Sequence, residues 1–472
     1  MQSYAYDRLS VVDNSFLAIE GPTTHQHVAA VLVLDARPLT HPDGGIDIDT
    51  IRTYIDSRLH LIPRYRQRLA TVPLGNRLVW IDDEHFNIHY HVRHASLPRP
   101  GDERQLKRLA ARVVSQQLDR AKPLWEIWVV EGLEGGRFAL VAKTHHCMVD
   151  GVSGVDLLAV LLNPTENADF TPGPRWIPRP APTPLQIFRD EWMRRVRQPL
   201  DALWETPCPF TSPFAIARGL WESVSAVGET LGAAARPASP TPINLPIGPH
   251  RRYDWVAFDL ADVKAVKNSL GGTVNDIVLA TVAGALRTFL EGRRVNVDVL
   301  DLRASIPVSI RTDEQRGTLG NQIALWMANL PVAERDPRRR LDKVRADTAR
   351  LKESRQTLGA QVLAAVSEWT STTLLSLAVR LSTRSRPFNL VVTNVPGPQI
   401  PLYLLGAELR ECYPMLALLP NQALGVALFS YSGKLCWGFI ADWDLIPDLH
   451  DFVLGIETAF RELRVAAGTL AA

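Results

Sequence analysis

The sequence AKTHHCMVDG, residues 142–151, places two adjacent histidines between a strand-like stretch and an Asp-Gly turn. The strand belongs to PLWEIWVVEGLEGGRFALVAKTHH, residues 123–146, in which two apolar runs flank a short GLEGG turn. This pattern predicts a β-hairpin whose second strand delivers His145 and His146. The following MVDGVSGVDLLAVLL has the apolar spacing of a helix. The predicted local fold is therefore hairpin, turn and helix, with the histidines at the junction.

Two vicinal histidines at a strand end have different surroundings. Neighbouring side chains on a strand point to opposite faces, so only one of the two rings can face a given cavity. We therefore expect one of His145 and His146 to be catalytic and the other structural, if either is catalytic. A metal site with Asp150 is the alternative, but vicinal His side chains rarely converge on one ion and no third ligand lies nearby.

A second histidine-rich run, NIHYHVRHASL (residues 87–97), alternates like a strand. On a strand His89 and His91 would share a face, which again raises the question of a metal ion. Surface or hydrogen-bonded histidines are the default for this run, which also has His85 and His94. We predict no metal at either place.

Composition indicates a globular protein. The chain has 472 residues, of which 46% are hydrophobic and 22% charged, and its net charge is +2. These values argue against a disordered chain and against one that coats nucleic acid. The four cysteines form no CxxC pair and the N-terminus has no secretory segment, which predicts a reducing cytoplasm. No apolar run is long enough to span a bilayer, so we expect any membrane contact to be peripheral.

Apolar periodicity and proline content predict that the chain has three parts. Residues 1–163 and 250–472 each alternate helix-like and strand-like stretches, and IDTIRTYIDSRLHLIPRYRQRL (residues 48–69) has apolar residues at helical spacing. Residues 164–249 are too rich in proline for regular structure at both ends. We predict two α/β domains joined by a proline-rich linker that carries one helical insert.

The helical insert is LQIFRDEWMRRVRQ, residues 185–198. Helical spacing puts one set of apolar side chains on a common face: Leu185, Phe188, Trp192 and Val196. The exposed charges are arginines, at positions 189, 194, 195 and 197. Such a basic amphipathic helix can lie on an anionic membrane. Alternatively it straps across the second domain and buries its aromatic residues there.

HHCMVDG has the form HHxxxDG and is accompanied by other motifs along the chain. They are LSVVDNSFLAIE, AKPLWEIWVVEGL, VNDIVLA, LRASIPVSIR, LGNQI and TNVPGP. HHxxxDG resembles the signature of the coenzyme-A-dependent acyltransferase superfamily. Together the motifs resemble the bacterial wax ester synthase/diacylglycerol acyltransferase family from end to end and in family order. One departure is Thr393, where serine is commoner before NVPGP, and this change keeps the hydroxyl.

The resemblance implies a fold and an activity. The fold is α/β, with two chloramphenicol-acetyltransferase-like domains of mixed sheets and an active-site tunnel at their interface. The activity is transfer of a long-chain fatty acyl group from acyl-CoA to a lipophilic alcohol. Diacylglycerol would give triacylglycerol, and a long-chain alcohol would give a wax ester. Acyl-CoA is then a substrate, and neither a cofactor nor a nucleic-acid partner is expected.

The resemblance also implies roles for individual residues. His146 is the general base, His145 a buried support, and Asp150 a structural aspartate whose expected partner is Arg303, while Gly151 frees the turn. A neutral imidazole can take the alcohol proton as the oxygen attacks the thioester, so no covalent acyl-enzyme is needed. Further oxyanion or substrate-binding candidates are Asn275, Asp276, Thr393, Asn394, Pro123, Leu124 and Trp125.

Two other functions stay open at this point. One is a condensation or polyketide-associated acyltransferase of the same superfamily, which would act on pantetheine-tethered donors. The other is a non-catalytic lipid-binding or lipid-droplet protein. Because the expected products are so apolar, we expect a cytoplasmic enzyme that works peripherally at the inner membrane face or on lipid droplets.

Overall fold

The computed structural model describes residues 6–42, 44–72, 78–148, 159–166, 173–190, 192–193, 237–309, 323–353 and 386–470. Within them the strands form two six-stranded sheets, both mixed, and one three-stranded antiparallel sheet. Helices pack against the sheets and bury their apolar sides. The predicted two-domain α/β fold with mixed sheets is confirmed.

The first half of the chain carries the histidine pair at the end of a hairpin. Its strands and helices in chain order are β1 Asp7–Arg8, α1 Val11–Ile19, β2 His27–Asp35, α2 Ile48–Arg58, β3 Gln67–Thr71, β4 Leu78–Asp82, α3 Ile88–His91, β5 Val92–Ser96, α4 Glu103–Ser115, β6 Trp125–Leu133 and β7 Arg137–His145. The predicted hairpin is confirmed as β6 and β7, which pair antiparallel. A 3₁₀ turn, His146–Met148, follows β7 directly.

The second half repeats the alternation of strands and helices. Its elements are β8 Arg251–Asp259, α5 Leu260–Leu270, α6 Val274–Gly292, β9 Leu302–Ser309, β10 Ile323–Leu330, α7 Pro337–Glu353, β11 Leu390–Pro396, β12 Tyr403–Leu404, β13 Ala407–Met415, β14 Leu424–Tyr431, β15 Lys434–Asp442 and α8 Leu449–Ala466. The long helix α6 begins at a capping box, because Thr273 and Asp276 each bond to the other's backbone N–H.

The order of the strands shows a crossover between the halves. One sheet runs β10-β9-β11-β14-β15-β8 and lies wholly in the second half. The other runs β12-β13-β2-β7-β6-β5, so two strands from residues 403–415 complete the sheet of the first half. In this sheet Tyr413 lies opposite Val31, and His27 lies opposite His145. The sequence division at residues 163 and 249 did not anticipate this exchange.

Side chains on α4 and β8 hold the two halves together. Lys107 on α4 forms an ion pair with Asp254 on β8 at 2.6 Å, and its ammonium lies over the ring of Trp255. The backbone N–H of Arg251 donates to the Ser115 hydroxyl at 2.8 Å. The guanidinium of the same arginine, buried, donates to the Thr23 carbonyl, just before the strand that neighbours the histidines. The second half therefore directly supports the loop behind the histidine pair.

Two expectations about local structure were wrong. NIHYHVRHASL is not one strand, because Ile88–His91 forms a helical turn capped by Asn87 before β5 begins at Val92. Residues 48–69 are not one helix either, since α2 ends at Arg58 and β3 begins at Gln67. Pro63 separates the two, and a proline there removes a helical hydrogen bond.

The linker residues 173–190 pack on the first half, whereas residues 237–249 pack on the second. Arg179 forms an ion pair with Asp82 of β4 at 2.8 Å. In the helical residues 184–190 the buried side chain is Ile187, which packs with Tyr6 and Val79 on the three-stranded sheet. For these residues the expected strap across the second domain is wrong. Arg194, Arg195, Val196 and Arg197 lie outside the described residues.

Within the described ranges, no single helix has both the length and the apolar content to cross a membrane. The pair α5 and α6 meets those two criteria only when taken together, and it is bent by 95°.

Candidate active site

The strand β7 delivers the two histidines to different environments. His145 is its last residue and is buried, with its N–H donating to the Leu124 carbonyl at 2.9 Å. His146 starts the 3₁₀ turn, and its N–H donates to the Gln26 carbonyl at 2.8 Å. The backbone N–H groups of both histidines are therefore bonded. The strand ends at His145 and the 3₁₀ turn begins at His146, so the two side chains point in different directions.

His146 has the environment of a neutral base. Its ring stacks on Phe16 of α1 with centroids 3.8 Å apart. Burial lowers the pKa of His146 to about 4, against the smaller opposing effect of its own carbonyl. Its Nδ1 is buried without a hydrogen-bond partner in the described part of the chain. At pH 7 the ring is therefore unprotonated and able to accept a proton.

His145 lies against a charged group that the sequence did not single out. Its Nδ1 accepts the N–H of Cys147 at 3.1 Å, and its Nε2 is 3.4 Å from Oε1 of Glu20. The second carboxylate oxygen of Glu20 accepts from Nε of Arg120 at 3.0 Å. Burial favours a raised pKa for Glu20, but His145 and Arg120 outweigh it and the pKa falls to about 2. An ionised carboxylate, that of Glu20, therefore lies against the ring of His145.

Cys147 is a packing residue in this arrangement. Its side chain is buried, and burial raises the pKa of the thiol well above its usual range. A thiol in that state is a poor nucleophile, because thiolate is the reactive form.

The Pro-Leu-Trp motif lies beside the histidine pair, because the Leu124 carbonyl accepts the N–H of His145. Leu124 and Trp125 are fully buried, and the Trp125 indole N–H donates to the Tyr65 carbonyl at 2.8 Å. The Trp125 ring stacks on His91, whose Nδ1 lies 2.8 Å from the Trp125 carbonyl. Burial lowers the pKa of His91 to about 4, so its ring is neutral as well. Pro123, also buried, accepts the N–H of Trp125. These contacts give the motif a scaffold role.

The two asparagines from the second half lie together. The Asn394 amide on β11 donates to Oδ1 of Asn275, in the first turn of α6, at 2.7 Å. This bond orients the Asn275 side chain so that its own amide N–H₂ points away from Asn394. Asn275 is exposed, so that N–H₂ group is open to a ligand.

Asp276 and Thr393 stand apart from this amide pair. One carboxylate oxygen of Asp276 accepts the N–H and hydroxyl of Thr273, and the other accepts the Thr348 hydroxyl at 2.7 Å. Thr393 precedes Asn394 on the regular strand β11, so its side chain points to the opposite face. Of the two β11 candidates, only Asn394 therefore lies on the side of Asn275.

Arg303 is on β9, and its guanidinium forms an ion pair with Asp301. Asp150 and Gly151 lie outside the described residues. The pairing of Asp150 with Arg303 therefore stays a prediction.

No group of three His, Cys, Asp or Glu side chains could hold a metal ion in the described parts of the chain. His94 is instead 3.4 Å from Glu131, while His91 is held by Trp125.

Two models of one protein family match most of the chain. Residues 9–278 match the wax ester synthase/diacylglycerol acyltransferase catalytic domain, and residues 319–464 match the C-terminal domain of the same family. The chain belongs to the wax ester synthase/diacylglycerol acyltransferase family. It is an acyltransferase, and the resemblance drawn from its motifs is confirmed.

Two mycobacterial relatives cover almost the whole acyltransferase. A protein of Mycobacterium tuberculosis CDC 1551, named as a diacylglycerol O-acyltransferase, is 32% identical over 97% of this chain and 90% of its own length. A second, from strain H37Rv and also named as a diacylglycerol O-acyltransferase, is 31% identical over 97% of this chain and 96% of its own.

Solved structures agree with the fold of this acyltransferase. The wax ester synthase/diacylglycerol acyltransferase of Marinobacter aquaeolei VT8 superimposes with a TM-score of 0.71 at 26% identity, over 98% of this chain and 100% of that one. The starter condensation domain of rhizomide synthetase gives a TM-score of 0.59 at 13% identity, over 98% and 95% of the two chains. The second likeness shows the shared fold alone.

Sequence reasoning missed three residues around the histidine pair of this acyltransferase: Phe16 and Glu20, which contact it, and Arg120, which binds Glu20. The first two belong to LSVVDNSFLAIE, a motif that supported the resemblance but had no role assigned to its members. A signal was present, because a glutamate directly after an apolar helix is hard to bury without a partner. Arg120 carried none, since it lies 100 residues further along the chain.

Proposed function

We propose that this acyltransferase moves a long-chain fatty acyl group from acyl-CoA to diacylglycerol or to a long-chain alcohol. The observation that carries the proposal is the state of His146, a neutral ring held on a fixed turn between Phe16 and the end of β7. Because Nδ1 is buried, Nε2 is the nitrogen that meets the alcohol. The names of the mycobacterial relatives support diacylglycerol as the acceptor.

The reaction needs one proton acceptor and one oxyanion donor. His146 takes the hydroxyl proton while the alcohol oxygen bonds to the thioester carbon. The carbonyl oxygen becomes an oxyanion, and the tetrahedral intermediate then collapses by breaking the carbon–sulfur bond. The CoA thiolate leaves with the proton from His146, so the ring returns to its neutral form. A pKa of about 4 makes the imidazolium a strong enough acid for that last transfer.

Asn275 is our proposed oxyanion donor. Its amide N–H₂ is open, and its orientation is set by Asn394. A pre-oriented donor aimed at developing charge lowers the barrier without reorganising during the reaction. Asn394 then acts as the residue that holds Asn275.

Thiol release tests the reaction directly. Wild type, His146→Ala and His146→Gln are mixed with palmitoyl-CoA and either hexadecanol, diacylglycerol or no acceptor, and the lipid products are identified. We expect acceptor-dependent thiol release by wild type and its loss, by ~10² to 10⁴-fold, in both folded variants. An unchanged rate in His146→Gln would refute the general-base role. No thiol release with any acceptor, alongside retained lipid binding, would favour a non-catalytic lipid protein. A strong preference for pantetheine-tethered donors would favour the condensation-type reaction.

We further propose that the protein acts at a lipid surface on the cytoplasmic side of the membrane or on lipid droplets. Ile187 anchors the helical residues 184–190 to the first half, whereas Leu185 is 76% and Trp192 60% exposed. Trp192 lies beside Phe188, with ring centroids 6.3 Å apart, and the exposed Arg189 forms an ion pair with Asp190 at 3.1 Å. Exposed apolar and aromatic side chains suit the interface of a bilayer.

Vesicle flotation tests this surface. We expect Leu185→Glu/Trp192→Glu to lose binding to vesicles that contain anionic lipid while keeping thiol release from soluble short-chain substrates. Leu454→Glu is the matched control, because Leu454 on α8 is 46% exposed and equally apolar. Equal binding by both variants and wild type would place membrane contact elsewhere.

A further inference from the structure

A buried carboxylate stands behind the histidine pair without a role in the reaction as described. Glu20 is the C-cap residue of α1, and its side chain is 1% exposed. We infer that Glu20 is a positioning residue for acyl transfer, acting on His146 through His145. This inference rests on the proposed general-base role of His146.

Glu20 lies between Arg120 and His145 and contacts both side chains. Nε of Arg120 donates to Oε2, while Oε1 faces Nε2 of His145 at 3.4 Å. With a pKa of about 2, Glu20 is ionised throughout the working range of an enzyme. Burying such a charge is costly unless it is paired, and its partners here are the arginine, the histidine and the Gln26 N–H, which donates to Oε1 at 3.5 Å.

The hydrogen bond on the other side of the ring fixes the tautomer of His145. The Cys147 N–H can only donate, so Nδ1 of His145 must accept and carry no proton. In the neutral ring the proton therefore lies on Nε2, which is the atom that faces Glu20. The carboxylate favours this tautomer, because it attracts the Nε2–H dipole.

His27 does not compete for this role. Its Nε2 lies 3.6 Å from the same oxygen of Glu20 but also accepts the N–H of Leu118 at 3.4 Å. Burial lowers the pKa of His27 well below its usual range, so the ring is neutral. The His27 nitrogen nearest Glu20 is thus an acceptor, which leaves His145 as the histidine whose N–H faces the carboxylate.

The tautomer of His145 matters because it holds the turn that carries the base. The Cys147 N–H belongs to the peptide that follows His146, and the His146 N–H is bound by Gln26. Both peptide groups that flank the base are therefore held, one of them only while Nδ1 of His145 is free of its proton. A misplacement of about 1 Å at a catalytic group can cost ~10²-fold in rate.

Helix α1 contacts both histidines, through Phe16 and through its C-cap residue Glu20. Phe16 contacts the His146 ring, and the Glu20 N–H donates to the Phe16 carbonyl at 3.0 Å. The same helical turn therefore presents an aromatic face to one histidine and a carboxylate to the other.

The test combines kinetics with a direct measurement of the tautomer. We expect Glu20→Gln to lower kcat by ~10 to 100-fold, as seen for groups that orient a catalytic residue, with the KM for palmitoyl-CoA unchanged. Glu20→Asp, which keeps the charge, should recover part of kcat. In ¹⁵N-histidine NMR spectra the wild-type His145 should show the Nε2–H form, and Glu20→Gln should show a mixture of tautomers.

Asp35→Asn is the matched control. Asp35 on β2 is also a buried carboxylate paired with an arginine, Arg37, but the opposite end of β2 is the one beside the histidines. It should leave kcat and the His145 signal unchanged.

The outcomes separate this inference from the function on which it rests. If His146→Ala stays active, the general-base proposal fails, whatever Glu20→Gln does. If His146→Ala is inactive but folded Glu20→Gln keeps the wild-type kcat and the Nε2–H tautomer, the inference about Glu20 is overturned. If Glu20→Gln does not fold, Glu20→Asp decides, because it keeps the charge beside Arg120 and withdraws the carboxylate from His145 by one methylene. A lower kcat at unchanged KM in Glu20→Asp supports the inference, and a wild-type kcat overturns it.

Discussion

The ring of Phe16 lies almost flat on the ring of His146, with an angle of 21° between their planes. This contact removes water from one face of the imidazole, and desolvation is the main reason for its low pKa. A base that is neutral far below pH 7 loses some intrinsic basicity but is always in its active form.

The decrease of kcat/KM on the acid side of its pH profile should therefore occur at an unusually low pH. Because only neutral His146 accepts a proton, kcat/KM should stay level from pH 8 to about pH 5.5 and fall as the pH drops through about 4. Thiol release measured in short assays gives the profile, with circular dichroism to confirm that the protein stays folded. Phe16→Leu should move this decrease upward toward the ordinary histidine value. A wild-type decrease near 6.5 would contradict the proposed environment.

Asn275 and Thr393 should respond differently to truncation. Removing an oxyanion donor costs ~10² to 10³-fold in kcat, which is the loss expected for Asn275→Ala at near-constant KM. Thr393→Ala should lose less than about 10-fold, since its side chain points away from the asparagine pair. Steady-state kinetics with palmitoyl-CoA would decide, and the reverse order would assign the donor to Thr393.

Asp276 should matter for stability rather than for turnover. Both its oxygens are used, one to cap α6 and one to bind the Thr348 hydroxyl on α7. Asp276→Ala should lower the free energy of unfolding by about 2 kcal/mol, because a cap and a buried hydrogen bond are lost together. Urea denaturation measures this change, with Thr348→Val as the control for the second bond. A folded variant with kcat reduced more than about 10-fold would show a role in the reaction instead.

His91 should make stability depend on pH. Its folded-state pKa of about 4 lies below the unfolded value, so the unfolded chain binds more protons between those two pH values. Stability from this group is therefore present above about pH 6.5 and is lost as the pH falls toward 4. Between pH 7 and pH 5 the loss should be on the order of 2 kcal/mol. In His91→Asn, which cannot titrate, that part of the pH dependence should vanish from urea-denaturation curves. An identical pH dependence in wild type and variant would show that His91 does not contribute.

Much of the fold could be predicted because local patterns specify it. The hairpin of β6 and β7, and the strand-helix-helix order of β8, α5 and α6, follow from apolar periodicity and turn residues. Where a proline or an asparagine cap ended an element early, as at Pro63 and Asn87, periodicity alone gave the wrong boundary. The pairing of β13 with β2 joins residues nearly 400 positions apart, and no local pattern encodes such a partner.

The candidate site was predictable only in part, for a similar reason. The sequence indicated that His145 and His146 have different surroundings, since strand geometry separates adjacent side chains. It did not indicate how Asn275 and Asn394 divide their roles, because their hydrogen bond joins different elements. Nor could it show that Glu20 and Arg120 meet behind the histidines.

The exchange of β13 into the first sheet also sets an order of events during synthesis. The ribosome releases β2 and β7 long before residues 407–415 exist, so until then one edge of β2 has no strand on it. An open edge is a template for pairing with other chains. We expect a chain that stops before β13 to aggregate rather than form half an enzyme, because the sheet that bears the histidines closes only when synthesis is nearly complete.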